Sequence, residues 1–191
     1  MILQQIEAIG LPWYIVSQIF TIVGVAALVI VPHLGSMQKM RAANILGAIV
    51  NIIAFGILGA WAGVFALAVY GSQTLTIFLM NLWGKKDIEE TRLAKAIKVV
   101  FLAIALIVGI SGFSAPRDIL AVAANFIGMA AMLLVGPKAE KTARWALLAV
   151  GILWLAYNAL IGSIFGIIGN LIIVGSCAGA VYKHNIKSGA E

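Results

Sequence analysis

Charge is what this chain has least of. Only 10% of its 191 residues are Asp, Glu, Lys or Arg, and 63% are apolar. A soluble domain carries about 25% charged residues. A globule this short cannot hide so much apolar surface, so lipid must be its solvent. The few charges are also missing from the places where chemistry would need them. The seven carboxylates are Glu7, Asp87, Glu89, Glu90, Asp118, Glu140 and Glu191, and none lies deep in an apolar run. No Lys or Arg does so either, and His33 and His184 fall outside the runs. Proton relays across membranes use buried acids or histidines, so their absence argues against a pump or a proton-coupled carrier. There is no acid–base pair, nucleophile dyad or metal cluster on which to build an enzyme. No cofactor is implied, and the last apolar run has no lysine to hold retinal. A single cysteine, Cys177, permits no intrachain disulfide. The opening MILQQIEAIG has no basic residue before the first apolar run, which does not fit a secretory signal. It reads as a short helix lying in the membrane interface.

What is present is apolar sequence in regular lengths. Seven runs read as spanning helices, over residues 11–31, 41–58, 63–83, 96–113, 118–135, 144–161 and 163–182. Each has the roughly 20 residues needed to cross about 30 Å of hydrocarbon. Pro12 opens the first, a position where a missing N–H does no harm. The fold class expected is all-α and integral to the membrane. Between the third and fourth runs lies GKKDIEETRLAK, a solvated linker with a short amphipathic helix. With the N-terminus outside, twelve of the 13 basic residues fall on the inner side and only Arg117 lies outside. That asymmetry marks the cytoplasmic face and places the C-terminus there. The net charge of +6 is therefore a topology signal, and nucleic acid is not an expected partner.

The chain also repeats itself. Residues 41–74 and 144–177 align at a shift of 103, which brings Arg41 onto Arg144, Gly59 onto Gly162 and Gly63 onto Gly166. Each copy is an apolar run, a Gly-x-x-x-Gly break and a second run, preceded by a run ending near Pro32 or Pro137. The four glycines are expected in tight outer turns. Repeated triplets are a common way to build transporters. An odd linker helix between the triplets gives both the same orientation, so they form parallel three-helix repeats in a 3+1+3 plan. The segments are then 1–10 (interfacial), 11–83 (first repeat), 84–117 (linker and helix four), 118–183 (second repeat) and 184–191 (tail).

Neutral polar residues supply the candidate site. Asn51 aligns with Trp154, and Phe55 with Asn158. Each helix thus carries one amide and one aromatic at i and i+4, on one face, in reversed order. Facing each other, they would line a chamber with two amides and two rings, suited to a sugar, nucleoside or vitamin-like solute. Taken one at a time, the two asparagines read as interhelical contacts, and it is their pairing on equivalent faces that points to a shared pocket. Gln73 is a further candidate, since a glutamine in lipid must find a partner. Tyr70 and Thr74 lie near it, and their echoes include Ser176 and Cys177. Gln18, Asn44, Asn81, Asn125 and Asn170 read as packing residues, and Tyr157 as a residue aimed away from the chamber. Pro32 and Pro137 would let the first helix of each triplet bend.

The runs YIVSQIFTIVGVAALVI, QTLTIF and LWLAYNALIGSIFG resemble the YgjV family of bacterial inner-membrane proteins. More broadly, the plan resembles the SWEET sugar facilitators, the PnuC vitamin transporters and their PQ-loop superfamily. The superfamily's Pro-Gln dipeptide is Pro32-His33 in one copy and Pro137-Lys138 in the other. The resemblance implies a small-solute carrier of the inner membrane, with a central pocket of paired Asn and Trp that carries onto Asn51, Trp154 and Asn158. The function expected is facilitated transport of a small neutral solute by alternating access, without catalysis. The alternative is a membrane scaffold that kept the fold and lost transport. The partners are the solute and the bilayer, and self-association into a homo-oligomer stays open.

Overall fold

The computed structural model describes residues 2–30, 37–83, 91–111, 113–131 and 137–182. Among them there are eight helices and no strand: α1 (Ile2–Ile9), α2 (Leu11–Ile30), α3 (Met37–Ile57), α4 (Trp61–Trp83), α5 (Arg92–Ser111), α6 (Asp118–Ala131), α7 (Pro137–Ile161) and α8 (Ile164–Val181). Four stretches are long and apolar enough to cross a membrane: Leu11–Ile30, Trp61–Trp83, Arg92–Ser111 and Arg144–Ile161. Arg41–Ile57, Asp118–Ala131 and Ile164–Gly179 are apolar but shorter. Helix α5 begins earlier than the apolar run suggests, at Arg92, so Lys98 falls in its second turn and is buried.

The inside and outside are exchanged relative to a soluble protein. Trp13, Ile19, Val23, Leu46, Ile107 and Leu171 are all exposed, while Ser17, Gln18, Thr21, Asn51, Gln73 and Asn158 are buried. In water such an exterior would drive association. In lipid it costs nothing, and the polar side chains must find partners inside. Much of the buried apolar surface is alanine, including Ala48, Ala54, Ala62, Ala66, Ala121 and Ala124. Small side chains let helix backbones approach closely, which is how helices associate without a hydrophobic driving force.

Neighbours along the chain are neighbours in space. Helix α3 packs between α2 and α4, and α7 packs between α6 and α8. The two trios meet where α2 touches α8 and where α4 touches α6, and α5 lies against α4 and α6.

Each trio contains a tight turn of the same construction. After α3, the N–H of Gly59 donates to Gly56 O at 3.1 Å and that of Ala60 to Phe55 O at 2.9 Å. After α7, the N–H of Gly162 donates to Ala159 O at 3.4 Å and that of Ser163 to Asn158 O at 3.0 Å. Both patterns are Schellman caps, which need a left-handed residue. Gly59 at φ 66° and Gly162 at φ 72° supply it. Gly63 and Gly166 are not turn residues, contrary to the expectation for all four. They sit in the first turn of α4 and α8 and act by leaving space. A Cβ on Gly63 would lie 2.7 Å from the Phe55 ring, and one on Gly166 would lie 2.6 Å from Asn158 Cγ. Ser163 caps α8, its side chain accepting from the Gly166 N–H.

Candidate functional site

Between the trios lies a cavity of about 530 Å³, lined by residues of α2, α3, α4, α6, α7 and α8. Four of the five residues singled out for a binding site, Asn51, Phe55, Trp154 and Asn158, line it. Gln73 does not. It follows Val69 by one helical turn, on the stripe of α4 that packs with Ala105 of α5 and Met129 of α6. There it is buried, with neither amide atom bonded. Asn44, Asn125 and Asn170, which read as packing residues, line the cavity instead, as do Tyr70, Ser176 and Cys177. Pro137 is the first residue of α7. Pro32 lies outside the described residues.

The aromatic residues gather at one end. The rings of Phe55 and Trp154 stack at 5.8 Å with 17° between their planes. Tyr157 meets Phe55 edge-on at 5.9 Å and Trp154 edge-on at 5.6 Å. Offset stacking and T-shaped contacts are the arrangements that ring quadrupoles favour. Helix α3 supplies Phe55 and α7 supplies the other two, so the cluster joins the trios. With Tyr14, Leu58 and Ile161 it forms a buried apolar cluster at this end.

The amides are held in one orientation. Asn51 Nδ2 donates to Gly47 O, Asn158 Nδ2 to Trp154 O and Asn170 Nδ2 to Gly166 O, each at 2.8 Å. A carbonyl can only accept, so the atom facing it must be nitrogen. The donors are thereby partly engaged, and the side-chain oxygens are the less committed atoms. Asn158 Oδ1 is buried without any partner. Asn51 and Asn158 each sit in a glycine notch, against Gly24 and Gly166. None of the lining residues carries a formal charge. Among the described residues no group of three or more His, Cys, Asp or Glu could hold a metal.

Four long-range hydrogen bonds cross between the trios at the aromatic end. The Tyr157 hydroxyl accepts from the Gly63 N–H at 3.1 Å and donates to Ala60 O at 3.4 Å. The Tyr14 hydroxyl donates to Gly162 O at 2.8 Å. Gln18 Oε1 accepts from the Phe165 N–H at 3.3 Å. Each trio thus holds the other's glycine turn through a tyrosine. The sequence offered no local sign of this, because the partners are backbone groups. Tyr157, about 100° around the helix from Asn158, does not line the cavity, and it is wholly buried.

No curated protein and no solved structure matches the chain. A family model of bacterial inner membrane proteins, Imp-YgjV, matches residues 15–188. That span takes in α3 to α8 entire, all but the first turn of α2, and every residue lining the cavity. With its apolar exterior and several membrane-length helices, the chain belongs to the YgjV family of multi-pass bacterial inner membrane proteins.

Proposed function

We propose that the protein is a facilitative carrier for a small neutral solute, working by alternating access around the cavity between the trios. The observation that carries this reading is the cavity itself. Its volume of about 530 Å³ falls within the roughly 300–1,000 Å³ usual for small-molecule sites. It combines neutral amides, aromatic rings and no charge, a lining that suits sugars, nucleosides or vitamin-like compounds. The amide oxygens favour a solute bearing O–H or N–H donors. Nothing in the lining compensates a net charge, which in this environment would be costly to bind.

The architecture in this reading is seven spanning helices in a 3+1+3 plan. The trios α2–α4 and α6–α8 are parallel repeats and α5 is the linker. The matched Schellman turns and the matched notches at Gly63 and Gly166 support the repeat, since both recur at the shift of 103. The distribution of Lys and Arg supports an outer N-terminus and a cytoplasmic C-terminus. The aromatic cluster then lies at the outer end of the cavity. Pro32, which follows α2 in sequence, and Pro137, at the start of α7, would serve as hinges. No catalytic step and no cofactor enter this reading.

The test is ligand stabilisation of the purified protein in detergent, with sugars, nucleosides and B-vitamins as probes. A ligand that binds the native state raises Tm by mass action. A hit is expected, and it should vanish in Trp154→Ala. If Asn51, Trp154 and Asn158 all tolerate alanine with no loss beyond stability, and no probe binds, the fold serves as a membrane scaffold instead.

A further inference from the structure

The helix that precedes the membrane spans has no place in the carrier scheme so far. Helix α1 is joined to α2 through Gly10, whose φ of 83° only glycine adopts readily. The Gly10 N–H donates to Ile6 O at 2.8 Å, ending α1, and its carbonyl accepts from the Tyr14 N–H at 3.1 Å, starting α2. The chain therefore passes from one helix into the next through a single residue, with its hydrogen bonds intact.

Covalently α1 belongs to the first trio and packs on α2, but it also reaches the second trio. A Cβ built on Gly162, in the α7–α8 turn, would lie 3.5 Å from Gln5 Cγ and 3.6 Å from Ile2 Cα. Ile6 and Ile9 pack on the cluster of Tyr14, Phe55, Leu58, Tyr157 and Ile161. Just below, Tyr14 and Gln18 bond the Gly162 carbonyl and the Phe165 N–H. All of these contacts lie at the aromatic end of the cavity, and those to Gly162 and Phe165 tie the first trio to the turn before α8 and the start of α8.

We propose that α1 and Tyr14 form a strap that locks the outer end of the cavity shut. The trios cannot part at this end while α1 covers the α7–α8 turn and the Tyr14 hydroxyl holds Gly162. Lifting α1 about Gly10 frees that turn. Both parts of the strap precede residue 15, where the family match begins. The geometry stands by itself, and the purpose of the strap rests on the carrier reading.

The single cysteine of the chain provides the readout. Cys177 lines the cavity eleven residues along α8 from Gly166, about 16 Å toward the opposite end. Its reaction with a membrane-impermeant maleimide is measured from the outer face in spheroplasts and from the inner face in inverted vesicles. In the intact chain it should react from the inner face, with only a trace of reaction from the outer face. In a chain lacking residues 2–9 it should also react from the outer face. In Tyr14→Phe, which removes one hydrogen bond and little else, outer-face reaction should rise on the order of fivefold. An inner-face rate like that of the intact chain shows that a variant is folded, and Tyr14→Phe decides if the deletion is not. Outer-face reaction that stays at the intact chain's level in the folded variants overturns the strap. The carrier reading is separated by adding solutes to the intact chain. Protection of Cys177 by a solute upholds the carrier whatever the strap result, whereas outer reactivity without protection by any solute keeps the strap and counts against the carrier.

Discussion

At the scale of single residues, the site is shaped as much by missing side chains as by present ones. Gly166 leaves room for the Asn158 amide, and a methyl there would fall within 2.6 Å of Asn158 Cγ and 2.7 Å of Ser163 Oγ. Gly166→Ala should therefore destabilise by about 1–3 kcal/mol, the usual cost of overpacking. It should also displace Asn158, so a solute found in the binding screen should lose affinity along with Tm. Gly175 on the same helix has nothing within 4 Å of its would-be Cβ. Gly175→Ala should leave binding unchanged and hold or raise Tm, because glycine inside a helix costs roughly 0.5–1 kcal/mol relative to alanine. Equal behaviour of the two variants would refute the notch. Tyr157 offers a second contrast. In Tyr157→Phe the Gly63 N–H loses its acceptor. A buried unpaired donor costs about 1–3 kcal/mol, and thermal unfolding in detergent should show the loss without any change in ring packing.

At the scale of helices and turns, the chain was readable where one local rule decides the outcome. Apolar runs broken by Pro and Gly announce the helices, and the i, i+4 spacing of Asn51 with Phe55 and Trp154 with Asn158 announces a shared face. Gly59 and Gly162 announce their turns for the same reason, since a Schellman cap needs a residue free to be left-handed. Gly59→Ala or Gly162→Ala should each cost on the order of 1 kcal/mol, read as a fall in Tm, whereas Gly63→Ala should fail through its clash with the Phe55 ring. The rest depended on tertiary contacts. Gln73 and Thr74 are adjacent in sequence, but a helix turns about 100° per residue, and only packing decides which direction faces the cavity. Gln73 faces α5 and α6 because Val69, one turn earlier, does. Asn44, Asn125 and Asn170 gave no pattern of their own, since each comes from a different helix. Tyr14 and Gln18 grip backbone groups 148 and 147 residues away, which no local rule encodes.

At the scale of the whole molecule, lipid replaces water as the medium that sorts side chains. Large apolar residues cover the surface, and the polar ones converge between two helix trios. Twelve of 13 basic residues fall on the side assigned to the cytoplasm. A fluorescent protein that matures only in the cytoplasm should therefore be bright at the C-terminus and dark at the N-terminus, and the reverse pattern would invert the assignment. The distribution of tryptophan has an optical consequence. Trp13, Trp61, Trp83 and Trp145 are exposed on the surface, while Trp154 stacks on Phe55 across the contact between trios. Brominated acyl chains quench indole emission only on contact, so in bilayers of brominated lipid four of the five signals should dim. What remains is emission from the one indole whose stacking partner belongs to the other trio. The protein thus contains its own spectroscopic probe, at the place where parting of the trios would first be felt.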